Sequence, residues 1–291
     1  MKFIRSKTLV QTQNSGQSWF GTTHNVNIYR GCNQDCIYCD SRSSCYQIDD
    51  FDDIKVKQDA DIMIDQELST KQKKGIIGLG GMNDPYNVYE KELKYTQSAL
   101  KSMNKYHFGV HIITKSTLVL RDLDILLQIN QHSPVCVGIT ITTANDKLQK
   151  RIERNVPSSS ERFEAIKILS DSGIYTGILL MPILPFINDT IDNIEQIVKK
   201  AHESNAKYIY ASFGVTLRDN QRQHFFKQIG PELTKRYVDT YGDSYICGSL
   251  NHELLKNKFE TLCQKYGIVY KMKDIIKGIT DSVKSEQISL F

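Results

Sequence analysis

Three of the chain's seven cysteines lie within eight residues, in the stretch Cys32-Asn33-Gln34-Asp35-Cys36-Ile37-Tyr38-Cys39. Three thiolates suit an iron–sulfur cluster, because a cuboidal cluster has four irons and one of them then stays open to another ligand. Gly31 permits the sharp turn that such a loop needs, and Tyr38 is expected to pack over the cluster and exclude water. The alternative is structural zinc, with Cys45 or His24 as the fourth ligand.

Short apolar runs of strand character recur along the chain outward from this stretch. They lie at residues 26–29, 75–79, 109–113, 135–141, 177–181 and 208–213. Segments of helical character lie between them, at residues 90–103, 118–129, 160–172 and 190–204. Strands that alternate with helices predict βαβ units and a parallel sheet. Six units are too few for a closed eight-stranded barrel, so we expect an open partial barrel or a doubly wound sheet.

The alternation stops after residue 213. A helix is expected at 251–266, a short strand at 268–271, and a further helix from Asp274 onward. We therefore expect a partial-barrel domain at residues 1–215 and an α-rich C-terminal extension at 216–291 that packs on the same domain.

Composition places the chain among ordinary globular proteins. Its 291 residues are 40% apolar and 24% charged, enough for one large α/β domain or two small ones. No segment approaches the roughly 18 apolar residues of a membrane helix, and residues 1–10 lack the apolar core of a secretory signal, so we expect a cytoplasmic protein. An odd number of cysteines argues against a disulfide framework. The net charge of +4 permits contact with nucleic acid without requiring it.

The cysteine motif resembles a known family once its flanks are included. The pattern Tyr29-Arg30-Gly31-Cys32-x-x-x-Cys36-x-Tyr38-Cys39-Asp40-x-Arg42 is similar to the CxxxCxΦC motif of the radical S-adenosylmethionine superfamily, and its flanks resemble the branch that contains spore photoproduct lyase. The resemblance implies an α/β fold, a partial (β/α)6 radical SAM barrel whose open parallel sheet carries a C-terminal helical appendage. It also implies a [4Fe–4S] cluster on Cys32, Cys36 and Cys39.

The resemblance further implies the chemistry. The open iron binds S-adenosylmethionine, and an electron from the cluster breaks the sulfonium bond to give a 5′-deoxyadenosyl radical, which abstracts hydrogen from the substrate. The electron comes from a donor such as flavodoxin or ferredoxin. Tyr38, which lies between two of the cluster ligands, is a candidate for both cofactor contact and catalysis.

Polar residues after the second and third strands are candidates to bind S-adenosylmethionine. The glycine-rich stretch 80–86 lies where the family binds the amino group, with Gly81 for close approach and Asn83 and Asp84 as polar partners. An ordinary Asp-Pro turn is the alternative. Lys115 ends the third strand and could pair with the ligand carboxylate, although most lysines are simply solvated.

The fourth and fifth strands supply further candidates. Thr140 and Thr142 share one face and could reach the carboxylate or ribose, although β-propensity alone explains them. Met181, in the apolar stretch 179–185, suits a wall beside adenine, as core packing also would. Three charged residues flank the fourth crossover and either bind ligand or form a solvated ion pair: Glu153, Arg154 and Arg162.

The substrate is the least determined feature. Spore photoproduct lyase uses a cysteine beside its second-strand motif to return a hydrogen atom, and residues 79–86 here contain none, which argues against reversal of the same lesion. Residues that could return the atom instead are Cys136, Cys247, Tyr38, Tyr86 and Tyr210. The stretch 216–227 mixes cations with aromatics, and Arg218 and Arg222 could form a nucleic-acid surface, although an amphipathic connecting helix explains them as well.

Three hypotheses follow from the sequence. The first is a radical enzyme, lyase-like and related to DNA repair, that acts on nucleic acid or a nucleotide. The second is a radical enzyme that acts on a peptide or a small metabolite. The third is a non-catalytic protein that binds zinc or an iron–sulfur cluster.

Overall fold

A computed structural model describes residues 1–13 and 19–287 of the chain; the last four residues of the expected extension lie outside this range. Its strands are, in chain order, β1 (Lys2–Ile4), β2 (Val10–Thr12), β3 (Thr22–Val26), β4 (Tyr29–Arg30), β5 (Lys55–Lys57), β6 (Ile76–Leu79), β7 (Gly109–Thr114), β8 (Val135–Thr140), β9 (Tyr175–Leu180), β10 (Tyr208–Ala211), β11 (Gly214–Thr216) and β12 (Ile246–Gly248). Its α-helices are α1 (Ala60–Thr70), α2 (Glu90–Leu93), α3 (Tyr95–Lys105), α4 (Leu123–Asn130), α5 (Asp146–Ile152), α6 (Ser159–Asp171), α7 (Ile191–Glu203), α8 (Asp219–Ile229), α9 (Pro231–Tyr241), α10 (His252–Tyr266) and α11 (Met272–Gln287).

One large sheet forms the centre of the described structure. Its strand order is β10-β9-β8-β7-β6-β3-β2, with six parallel neighbours from β10 to β3 and β2 antiparallel at the edge. The two edge strands do not pair with each other, so the sheet is open. The expected α/β fold with six parallel strands is therefore confirmed, and the carboxyl ends of all six strands meet along one edge.

The two faces of the sheet carry different layers. Alternate residues such as Ile112, Val137 and Ile139 point to the outer core formed with the helices. The inner face is covered at its amino end by α11, whose Ile275 and Ile279 pack with the side chains of the strand starts. The carboxyl end of the inner face is thus left for a ligand site, as is usual in α/β sheets.

Several element boundaries differ from the sequence expectation. The first parallel strand is β3, four residues before the expected 26–29, because Tyr29 and Arg30 pair instead with β5 in a separate three-stranded sheet of order β1-β5-β4. The expected helix 90–103 is broken into α2 and α3 at Lys94, which has a left-handed φ of 54°. The expected strand 268–271 is reduced to one bridge between Val269 and Tyr208.

The remaining expectations for the helices agree with the structure. Ser158 caps α6 and forms a capping box with Glu161, which explains why the helix begins here. The first part of the expected helix 118–129 is a 3-10 turn, and α4 follows it. None of the described helices has the length and apolar character needed to cross a membrane.

Candidate active site

The cysteine loop begins with a turn that only glycine can make. Gly31 has a φ of +87°, and a Cβ there would lie 2.6 Å from the carbonyl oxygen of Phe51. The next amide, of Cys32, donates a hydrogen bond of 2.9 Å to that same carbonyl. The close approach of these two backbone segments fixes the direction in which the first thiol enters the site.

The segment after α5 holds the middle of the loop. The Ile37 amide donates to the Ile152 carbonyl at 3.0 Å, Cys36 forms an antiparallel bridge with Glu153, and the Asn155 amide donates to the Gln34 carbonyl at 3.1 Å. These backbone bonds explain why the two distant segments lie together.

Helix α8 holds the end of the loop. Gln221 is fully buried, and its amide nitrogen donates to the Tyr38 carbonyl at 3.2 Å and to the Thr216 carbonyl at 2.7 Å. Asp219 accepts a hydrogen bond of 2.7 Å from the Ser44 hydroxyl. Sequence reasoning missed this second anchor, because a buried glutamine carries no pattern that distinguishes it from a solvated one.

The three cysteines line one cavity at the carboxyl edge of the sheet. Most of the residues that the sequence selected as cofactor ligands line it too. The selected residues in its wall are Cys32, Cys36, Cys39, Gly81, Asn83, Asp84, Lys115 and Thr140. Cys32 and Cys36 are 8% and 6% exposed, so the thiols face the cavity rather than bulk solvent.

The donor set fits an iron–sulfur cluster better than a single zinc ion. Zinc needs its ligands within about 2.3 Å of one point, and among residues 1–13 and 19–287 no three His, Cys, Asp or Glu side chains converge in that way. His24 lies on the helix-facing side of β3 against Phe108, and Cys45 is exposed outside the cavity. Three thiols that share a cavity, with neither proposed fourth ligand in its wall, match a four-iron cluster with one open iron.

Burial keeps two of the thiols protonated until metal binds. It raises the pKa of Cys32 to about 12, with a further contribution from the charge of Asp84. Burial also raises the pKa of Cys36, against an opposing effect of Lys115. Because the thiolate is the form that binds metal, a metal bound by these two residues would displace both protons.

A buried ion pair lies directly behind the cysteines. Arg162 donates to Glu153 Oε2 at 2.6 Å, and both side chains are 0% exposed. Glu153 Oε1 also accepts hydrogen bonds from the Tyr38 hydroxyl and, at 3.1 Å, from the Thr142 hydroxyl. Arg162 therefore holds the pKa of Glu153 below its usual range despite the opposing effect of burial. Of the two alternatives that the sequence left open, a solvated ion pair is therefore wrong for these two residues.

Arg154, the third charged residue of this group, lies nearer the surface. It forms an ion pair of 3.1 Å with Asp35 in the cysteine loop and donates to Gln228 of α8 at 2.6 Å. Its side chain is 38% exposed, so it connects the loop to α8 on the solvent side of the site.

Lys115 occupies the position expected for a carboxylate partner. Its ammonium group lies over the ring of Tyr38, 5.6 Å from the ring centroid. Burial lowers its pKa, but the thiolate form of Cys36 and the carboxylate of Glu153 raise it by more, so the net shift is upward. The ammonium group therefore stays charged at the wall of the cavity.

Asp84 ties three loops together at the cavity wall. Its carboxylate accepts four hydrogen bonds. The donors are Gln34 Nε2 at 2.5 Å, the Tyr86 amide at 2.8 Å, the Thr114 hydroxyl at 2.7 Å and the Lys115 amide at 2.8 Å. With its oxygens thus engaged, Asp84 is placed to hold the cysteine loop against the ends of β6 and β7.

Asp84→Asn is expected to lower the free energy of unfolding by about 2–3 kcal/mol, because an amide keeps one acceptor and turns its NH2 toward donors in a buried site. Urea unfolding of the metal-free protein measures the loss. Asp50→Asn, at an exposed carboxylate, is the control and should change stability by no more than about 0.5 kcal/mol. Equal stabilities for the two variants would contradict the assigned role of Asp84.

Other selected residues differ in how they face the cavity. Gly81 has open space where a Cβ would lie, whereas a Cβ at Gly80, with a φ of +95°, would meet the Ile113 carbonyl at 2.0 Å. The side-chain amide nitrogen of Asn83 donates to the Tyr29 carbonyl at 2.6 Å. No described residue donates to the side-chain oxygen of Asn83, Oδ1. Met181 packs at the inner face of the sheet, where Ile113 and Tyr210 also lie.

The candidate hydrogen-atom donors lie mostly away from the cavity. Cys136 is on the inner face of β8 beside the Tyr208 hydroxyl, at 3.3 Å, and Cys247 is in the core under α8 and α9. Tyr86 is buried in the outer core. Of the group, Tyr38 is next in sequence to a cluster cysteine and contacts Lys115.

Arg218 and Arg222 are both used inside the protein. Arg218 forms an ion pair of 2.8 Å with Asp40. Arg222 donates to the carbonyls of Gly242, at 2.8 Å, and of Leu217, at 3.2 Å. These contacts support the interpretation of this stretch as a connecting helix rather than as a nucleic-acid surface.

Comparison with known sequences gives two kinds of match. The model of the family described as the Radical SAM superfamily matches residues 26–201. An uncharacterized protein of Methanocaldococcus jannaschii is 31% identical over 231 residues, which cover 75% of this chain and 84% of that protein. An uncharacterized protein of Mycobacterium tuberculosis is 26% identical over 253 residues, which cover 84% of this chain and 74% of that protein.

Comparison with solved structures identifies a similar fold. Spore photoproduct lyase complexed with dinucleoside spore photoproduct superposes with a TM-score of 0.65 at 12% sequence identity. The match covers 92% of this chain and 81% of that one. At this level of identity the similarity concerns the fold alone.

Proposed function

The chain belongs to the radical SAM superfamily, and from this premise we propose that it is an enzyme that holds a [4Fe–4S] cluster on Cys32, Cys36 and Cys39 and uses S-adenosylmethionine to act on a nucleic acid or a nucleotide. One observation carries the proposal. The three thiols share a single cavity with the glycine loop after β6 and the ends of β7 and β8.

The residues around the cavity have separate tasks in this proposal. Lys115 pairs with the carboxylate of S-adenosylmethionine. The side-chain oxygen of Asn83 accepts a hydrogen bond from the amino group of the same ligand. Gly81 allows the ligand to approach the backbone, Thr140 supplies a hydroxyl, and Met181 provides an apolar surface for adenine. When bound, the cluster supplies the electron that breaks the sulfonium C–S bond and gives a 5′-deoxyadenosyl radical.

The remaining selected residues position the others. Tyr38 and Thr142 donate to Glu153, which holds the ring of Tyr38 under the ammonium group of Lys115. Asp84 fixes the spacing between the cysteine loop and the strand that ends at Lys115. These bonds keep the site rigid and limit the access of water to the radical.

The substrate and partners form the less specific part of the proposal. The flanks of the cysteine motif resemble the spore photoproduct lyase branch, and a solved structure of that lyase has the same fold. An electron donor such as flavodoxin or ferredoxin would reduce the cluster. We also propose a barrel at residues 1–215 and an extension at 216–291 that packs on the same domain. The contact between α8 of the extension and the cysteine loop supports this packing.

Anaerobic reconstitution tests the radical chemistry. After loading with iron and sulfide, we expect about four of each per chain and formation of 5′-deoxyadenosine when S-adenosylmethionine and a strong reductant are added. Samples without sulfide, and samples loaded with zinc alone, are the controls and should form none. A fully loaded four-iron protein that forms no 5′-deoxyadenosine would contradict the proposal and favour a non-catalytic role.

A further inference from the structure

The small sheet beside the cysteine loop carries a row of cations. Lys2 of β1 is in register with Lys55 of β5, and Lys55 is in register with Arg30 of β4. Side chains of paired residues project to the same face of a sheet, and those along one strand alternate. Lys57 therefore shares this face, while Val56 and Tyr29 are buried on the other.

This basic row, Lys2, Arg30, Lys55 and Lys57, is not neutralised within the part of the chain that the structure describes. None of the four forms an ion pair with a described carboxylate, although Arg30 donates to the Gln47 carbonyl and Lys55 donates to the Asp49 carbonyl at 3.1 Å. Like charges directly opposite each other destabilise a sheet, so a bound anion would stabilise this arrangement.

Nearby acidic groups are engaged elsewhere or lie outside ion-pair distance. Asp52, in the acidic turn before β5, binds Arg42 at 2.5 Å. Glu67 accepts from the backbone amides of Leu9 and Val10, both at 2.9 Å. Burial and the neighbouring charge of Arg30 together lower the pKa of Lys57, as expected where two cations lie close together.

The basic row opens toward the cofactor cavity. Arg30 and Lys57 line a cleft whose other walls include Asn27, Met82 and Asn83, and none of the described residues that line it carries a carboxylate. Met82 and Asn83 also line the cavity of the cysteines. An anion bound to Arg30 and Lys57 would therefore lie next to the cavity of the cysteines. Only the loop that contains Met82 and Asn83 would separate it from S-adenosylmethionine in the proposed function.

We propose that the basic row binds the phosphodiester backbone of the substrate strand and so places one nucleotide at the cavity. This inference rests on the proposed function and specifies its substrate as an oligonucleotide. Single-stranded nucleic acids are commonly bound by a groove of cations that follows the phosphates. Here the cations lie in a row across three neighbouring β-strands, β1, β5 and β4.

Fluorescence anisotropy tests the surface on the reconstituted, full-length protein. The probes are labelled oligo(dT) and oligo(U) of about 12 nucleotides, a length that one strand-binding domain covers. We expect the double variant Arg30→Gln/Lys57→Gln to bind about tenfold or more weakly at low salt, and its salt slope to fall by about 0.7 for each lost phosphate contact. Binding of either probe supports a phosphodiester site. The probe that binds with the higher affinity shows whether the surface prefers DNA or RNA.

A matched variant controls for the loss of charge. Lys199→Gln/Lys265→Gln removes two cations from α7 and α10, at the opposite edge of the large sheet, and should bind as the wild type does. Arg30→Lys/Lys57→Arg keeps the charges and should retain most of the affinity, which separates a lost contact from a folding defect.

Three results would overturn the inference: no binding by the wild type at low salt, equal losses in the two charge-removing variants, or equal competition by poly-glutamate. The radical chemistry is scored separately, as 5′-deoxyadenosine formed without oligonucleotide. We expect that rate to be unchanged in Arg30→Gln/Lys57→Gln. Loss of strand binding with an unchanged rate supports the surface, whereas a wild type that forms no 5′-deoxyadenosine contradicts the proposed function alone.

Discussion

Cys36→Ala is expected to reduce 5′-deoxyadenosine formation to background and to prevent stable assembly of a four-iron cluster. Cys36 is the middle ligand of the loop and the more buried of the two buried thiols, at 6% exposure. Its backbone pairs with that of Glu153, which fixes its thiol at the wall of the cavity. Iron and sulfide content, the visible absorption of the cluster and the 5′-deoxyadenosine assay measure the effect.

Cys45→Ala provides the matched control within the same part of the chain. Cys45 is exposed and lies outside the cavity, so its loss should leave iron content and 5′-deoxyadenosine formation as in the wild type. If Cys45→Ala removed the cluster, a fourth protein ligand would exist and the open-iron mechanism would be wrong. If Cys36→Ala retained a full cluster and full activity, the assignment of all three ligands would fail.

The sequence predicted which residues would share the cavity, because each signal was local. Three thiols in eight residues identify a metal loop, and a residue at the end of a parallel strand lies at the ligand edge whatever its partners are. Lys115 and Thr140 were placed by that rule and both line the cavity. Thr142, by contrast, is turned toward Glu153, since β8 ends at Thr140 and strict alternation stops there.

The supporting residues could not be predicted, because their roles depend on contacts between distant segments. From the sequence, Asp84 is equally consistent with an Asp-Pro turn and with a ligand of S-adenosylmethionine. Only the fold shows that Gln34 and Lys115 donate to its carboxylate oxygens. Glu153 and Arg162 read equally well as a surface pair. Burial decides between such alternatives, and burial follows from topology rather than from spacing.

In the fold as well, features with a local sequence signal were predicted, and features that depend on contacts between distant segments were not. The presence of six parallel strands followed from apolar runs and their separation, but the first run was assigned to the wrong sheet. Tyr29 and Arg30 have strand character and do form a strand, yet their partner is β5, whose three residues are too short a run to predict a strand from the sequence. Lys94 carries no sequence signal for its left-handed φ, so a helix break there is visible only in the structure.

Glu153→Ala is expected to lower the free energy of unfolding of the metal-free protein by about 3–5 kcal/mol. The substitution leaves the fully buried Arg162 without its carboxylate and also removes the acceptor for the hydroxyls of Tyr38 and Thr142. Such a loss is a large part of the roughly 5–15 kcal/mol by which a domain is stable. Urea unfolding measures it, with Lys167→Ala as the control on the same helix as Arg162.

The control isolates burial as the cause. Lys167 and Asp171 of α6 form a contact of 2.6 Å, equal to that of Arg162 and Glu153, but their side chains are each 44% exposed. An exposed pair of this kind contributes about 0.3–0.5 kcal/mol, so Lys167→Ala should change stability by no more than that. Comparable losses in the two variants would show that the Glu153 carboxylate is solvated and would contradict its assigned place behind the cysteines.

A double substitution separates the cost of an unpaired charge from the value of the pair. Glu153→Leu/Arg162→Met removes both charges and should be more stable than Glu153→Ala, because no buried cation is left without a partner. Recovery should be partial, since Arg162 also donates to the carbonyls of Thr140, at 2.7 Å, and Pro157, at 3.0 Å. If the double variant were no more stable than Glu153→Ala, the loss would come from the Tyr38 and Thr142 hydroxyls, and Glu153 would act mainly as their acceptor.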